Sequence, residues 1–183
     1  GGRACRGFAP GLCVGAAHPT YWTKPLGPLQ DGCVTMSEVK DERPVRLRAE
    51  DVEDLAVMAA LLQDARITLR EMVFDPVEHS FIAAFIRYRR ELMPDPTSCE
   101  GLTERRSALR FDCVEMVKHR NLDPEDLDRE LTLLTIATAP GERYLFHIEL
   151  VFDEGVQIQL RTDCIDTLLE DFGPVERCRK TPC

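Results

Sequence analysis

The nine residues Leu109–Val117, LRFDCVEMV, return at Leu160–Leu168 as LRTDCIDTL, with four identities and three conservative exchanges. Neither phrase belongs to a low-complexity tract, so the recurrence favours a fold that uses one unit twice. Weaker echoes lie upstream in the same order. DVEDL at Asp51–Leu55 is answered by DPEDL at Asp123–Leu127, and ITL at Ile67–Leu69 by LTL at Leu131–Leu133. DPVEHSFIAAFI at Asp75–Ile86 is answered by APGERYLFHIEL at Ala139–Leu150. The separation between partners only shortens along the chain, as it would if the second copy had lost pieces of two connections. The expected repeats are residues 45–118 and 120–171.

Each copy opens on an aspartate suited to cap a helix, since its side chain can accept from the free amides of the first turn. In the first copy Val52, Leu55, Ala56, Ala59 and Leu62 repeat with helical spacing and predict a helix over Asp51–Asp64. In the second, DPEDLDRE shortens it to about a turn, with Pro124 fit for the first helical position. Strands are expected at Ile67–Phe74 and Ser80–Tyr88, and in the second copy at Leu131–Thr138 and Tyr144–Phe152. The repeated phrase forms the third strand of each copy. There Leu109 and Phe111 face one way and Arg110 and Asp112 the other. After Asp-Cys the alternation slips. A bent strand fits the first copy, whereas Ile165, Leu168, Leu169 and Phe172 leave strand and helix both open in the second. The expected class is α+β: an internally duplicated antiparallel sheet of about six strands, curved or partly closed into a barrel, with one N-terminal helix packed on it. Pro44–Arg48 is a possible edge strand, and Glu91–Glu104, with two prolines and a glycine, a surface loop.

The first 35 residues are rich in Gly, Pro and Ala and carry neither strand nor helix period, and Pro and Gly interrupt every run that might serve as a signal peptide. They are expected to be a disordered extension ahead of a globular domain at 36–183, whose natural start is Met36. No apolar stretch reaches the about 18 residues of a membrane span. The net charge of −9 argues against nucleic acid, which calls for a basic stripe. The eight cysteines include no C-x-x-C pair, so zinc is not expected and reduced thiols in a cytoplasm are.

Asp112 and Asp163 are the catalytic candidates, because a pseudo-twofold axis between copies would bring equivalent carboxylates together to share a proton or hold a metal. The plainer expectation is that Arg110 pairs with Asp112 and Arg161 with Asp163, two residues apart on one strand face. Cys113 and Cys164 follow directly. His119, near Cys113, has the acid Glu170 as its counterpart, so no Cys/His pair is repeated and both cysteines are expected in the core. No histidine pair has metal-ligand spacing, and no cofactor motif occurs. Arg110 and Arg161, with Arg87, Arg89 and Arg90 of IRYRRE, are the binding candidates, the last three as a patch for an anion or an acidic partner.

The stretches VRLRAEDVEDLAVMAALLQDA, RRSALRFDCVEMV and LLEDFGPV resemble an uncharacterised alphaproteobacterial family, domain of unknown function 2948. The resemblance covers nearly everything after Met36. It implies a bacterial, cytoplasmic, single-domain protein, and it transfers no reaction, cofactor or site residue. The expected role is a non-enzymatic module or scaffold that binds a protein partner or its own copy. The rival is an enzyme or small-molecule binder with its site between the repeats.

Overall fold

A computed structural model describes residues 43–95, 99–141 and 146–179. The expected extension, residues 1–35, lies outside the described residues. Among the described residues the architecture is mostly β: ten antiparallel strands in one open sheet with a single α-helix. This corrects the expected α+β class, the count of about six strands and the partly closed barrel.

The first strand β1, Arg46–Ala49, precedes helix α1, Val52–Leu61. Asp51 caps the helix, its Oδ1 accepting from the Asp54 N–H at 2.8 Å. Leu55 and Met58, with Leu62 just beyond the helix, form the buried seam, while Val52 and Val57 face outward. Asp64, in the left-handed region at φ 62°, turns the chain. Its N–H then donates to the Leu133 carbonyl at 2.9 Å, tying the helix exit to the sheet. Asp51→Ala is expected to cost about 1 kcal/mol, the usual loss on removing an N-cap, read as a lower urea midpoint with an unchanged slope.

Ten strands arise where about six were expected because three expected strands break and the possible edge strand forms as β1. The span Ile67–Phe74 is interrupted by a 3-10 turn at Leu69–Glu71, giving β2, Arg66–Thr68, and β3, Met72–Asp75. Next come β4, Ser80–Tyr88, and β5, Thr103–Phe111. The repeated phrase breaks at Asp-Cys in both places. It yields β5 and β6, Val114–Arg120, the first time; the second time it yields β9, Gln157–Thr162, and β10, Thr167–Arg177. Between them lie β7, Glu130–Pro140, and β8, Phe146–Phe152. The segment after Cys164 is therefore strand, although its apolar spacing also fitted a helix. Buried Thr167, Leu169 and Asp171 alternate along it, and β1 and β5 pair it on either side.

The strand order is β1-β10-β5-β4-β2-β7-β8-β9-β6, with β3 also against β4. The run β3-β4-β5 is completed by β10 from late in the chain, and β7-β8-β9 is completed by β6 from before β7. Short β2 joins the runs, pairing β4 through Arg66↔Ile86 and β7 through Arg66↔Thr132 to Thr68↔Glu130. The core takes side chains from both runs and from the helix. Phe85, Leu109, Phe111, Leu133, Leu150 and Phe152 are essentially inaccessible to water.

Candidate functional site

The two Asp-Cys breaks meet. At the end of β5 the Asp112 N–H donates to the Asp166 carbonyl at 2.9 Å, and Cys113 adopts φ 62°. That left-handed residue redirects the chain, and the Val114 N–H then donates to the His79 carbonyl at 2.7 Å as β6 sets out towards β9. At the end of β9 the Thr162 hydroxyl donates to the Cys164 carbonyl at 2.6 Å and accepts from the Cys164 N–H at 3.4 Å. The chain then enters β10 and pairs with β5, Thr167 lying opposite Phe111. At this crossing the sulfurs of Cys113 and Cys164 and a carboxylate oxygen of Asp163 all lie within 4.8 Å of one another. Both cysteines are half-buried and Asp163 is exposed, so the cluster opens to solvent.

Burial, then Cys113, then Asp163 push the Cys164 thiol up to about 12. A resting nucleophile needs the opposite shift, towards thiolate at neutral pH. The cysteines are thus partners at a crossing and not simply core fillers.

The carboxylates fare differently. Asp112 is held by Arg110, whose Nε and NH2 donate to Oδ1 at 2.9 and 2.7 Å. The pairing expected at Arg161 does not form, because Arg161 turns to Glu115 at 3.1 Å. Asp166 receives both forks of Arg48 at 3.0 Å, and this hydrogen-bonded guanidinium holds its carboxyl below the usual range. Asp163 has no ion pair among the described residues.

The arginines of IRYRRE lie elsewhere. Arg87 is fully buried: Nε and NH2 donate to Asp171 at 2.8 and 2.7 Å, and NH1 to Glu91 at 2.9 Å. The Ser107 hydroxyl also donates to Asp171, at 2.5 Å. Arg87 therefore binds inside the molecule. Arg89 is buried too, and Arg90 pairs with Asp64 at 2.8 Å while standing 5.6 Å over the Tyr88 ring.

Sequence reasoning missed a hollow of about 240 Å³ whose walls include Arg66, Glu104, Arg105, Arg106, Glu176 and Arg179. Much of its charge is answered from within: Arg66 meets Glu104 at 2.8 Å, Arg179 meets Glu176 at 2.5 Å, and Arg106 meets Glu71. No spacing joins Arg66 to Glu104 along the chain; strand register does. The cysteine expectation needs one amendment, since Cys99 is disulfide-bonded.

Residues 45–183 match the model of a family described as protein of unknown function (DUF2948). No curated protein and no solved structure matches the chain.

Proposed function

The chain belongs to that family, whose description assigns no activity, and from this premise we propose that it is a non-enzymatic module binding an extended segment of a protein partner along strand β6. One observation carries the reading. Among the described residues the open sheet ends at β6, and of its seven residues Glu115, Met116, Lys118, His119 and Arg120 are exposed. The outer edge of such a strand offers backbone donors and acceptors that an incoming strand can pair, and its side chains set the preference. Lys118 and Arg120 put two positive charges at the far end of this edge on a chain of net charge −9, which favours an acidic partner strand. The other end of the sheet, β1, offers only four residues.

We place the module in the bacterial cytoplasm and read residues 45–118 and 120–171 as two copies of one unit. The exchange of final strands, β10 onto β5 and β6 onto β9, supports the repeat. The acidic charge speaks against nucleic acid. No helix among the described residues is long and apolar enough to cross a membrane.

A synthetic extended peptide alternating valine and glutamate tests the edge. It is expected to slow hydrogen exchange of β6 amides. Charge reversal by K118E with R120E is expected to weaken binding about fivefold, the size of two exposed charge pairs. Unchanged β6 exchange at saturating peptide would remove the reading.

A further inference from the structure

The geometry points to a thiophilic divalent cation, of the zinc type, held by the sulfurs of Cys113 and Cys164 and the carboxylate of Asp163 where the two strand-to-strand crossings meet. Zinc takes thiolate sulfur at about 2.3 Å and carboxylate oxygen at about 2.0–2.2 Å in tetrahedral geometry, which sets two bound sulfurs roughly 3.8 Å apart. The three donor atoms already lie within 4.8 Å of one another, so side-chain adjustment suffices to close on an ion. Two sulfurs and one oxygen select a soft or borderline cation over calcium or magnesium, which prefer oxygen alone.

A second observation comes from the neighbouring charges. Three other acids around the corner each have an arginine: Asp112 has Arg110, Asp166 has Arg48 and Glu115 has Arg161. Asp163 has no such counter-charge among the described residues, and it is the acid beside the two thiols. The half-burial of the cysteines and the exposure of Asp163 leave a path for the ion. Three protein donors leave one tetrahedral position to water. Cys113 and Cys164 belong to the connections β5–β6 and β9–β10, so the ion clamps both crossings.

Cobalt(II) is the probe, because tetrahedral thiolate ligation gives it charge-transfer absorption. The full chain, freshly reduced and kept anaerobic, is titrated with cobalt and then zinc. The expected result is thiolate-to-cobalt absorption saturating at one equivalent, abolished by C113S with C164S and bleached by zinc. D163N, which keeps both thiols, is expected to weaken cobalt at least about tenfold, as loss of a ligand should cost no less than loss of an outer-shell partner. C178S is expected to bind as the parent does. Circular dichroism identifies which variants are folded, and zinc is expected to raise the melting temperature of the parent but not of the double variant. No absorption in the folded, reduced parent would overturn the assignment. So would absorption that survives in the folded double variant, or a D163N affinity equal to the parent's.

Discussion

Replacing Asp171 by alanine is expected to lower the unfolding free energy by about 3–5 kcal/mol, the usual cost of removing one member of a buried ion pair. Neither Asp171 nor Arg87 offers its side chain to water. Asp171 accepts from Arg87 Nε and NH2, from the Ser107 hydroxyl and from the Val45 N–H. Without it the guanidinium keeps Glu91 but loses its main counter-charge, and the start of β1 loses an anchor. Denaturant unfolding of D171A measures the loss. The pair R87M with D171L, which leaves no buried charge behind, is expected to be markedly more stable than D171A. Equal destabilisation by the single and double variants would show that packing, not charge, sets the cost.

The same group gives a pH dependence. Burial works to raise the Asp171 carboxyl, but Arg87, Ser107 and the Val45 N–H outweigh it and hold it below its ordinary value of 3.8. The folded pKa lies below the unfolded one. The stabilisation is therefore complete above the unfolded value and is lost as pH falls below 3.8 through the folded value. D171N is expected to show a shallower fall in stability over that acid window, measured by urea unfolding at stepped pH.

Phe111→Ala is the second large effect, about 3–5 kcal/mol for a phenylalanine truncated in a close-packed interior. The ring is 1% exposed and lies 6.4 Å, centroid to centroid, from Phe81. Its backbone pairs with Phe81 on one side and Thr167 on the other, one residue before the crossing. A void there loosens β4, β5 and β10 together. Phe172 is the control: 40% exposed and stacked 5.6 Å from Arg106, it should lose less than about 1 kcal/mol on truncation. Thermal and urea unfolding of both variants make the comparison.

Much of the local structure was legible. The Asp51 cap, the inward Leu55 and Leu62, the span Ser80–Tyr88 and the inward Leu109 and Phe111 follow from spacing alone, because each depends on near neighbours in the chain; Val52 and Ala56 of the expected helix stripe instead face solvent, and Met58 takes the inner place. The strand count did not. Val114, Met116 and Val117 continue the strand composition of β5 past Asp112, so the sequence reads as one bent strand. The break is made by Cys113 at positive φ, a conformation usually signalled by Gly or Asn. Open against closed was equally hidden, since the order of strands is fixed by pairings such as Arg46↔Glu170 that no local pattern encodes. At the site, the plainer expectation held in one copy: Arg110 takes Asp112 two residues on, while Arg161 turns across to Glu115 and leaves Asp163 beside the two sulfurs. Arg87 shows the same limit: a basic run reads as surface until a buried acid from 84 residues away is found beside it.

The late arrival of β10 bears on how this protein is made. A ribosome releases β1 and β5 long before the strand that must lie between them exists. Until Thr167–Arg177 emerges, both strands face solvent with unmet backbone groups. A nascent chain stalled anywhere before that point has no finished first half to shelter in, and truncation of the last strand should yield an aggregating product in place of a shorter folded one.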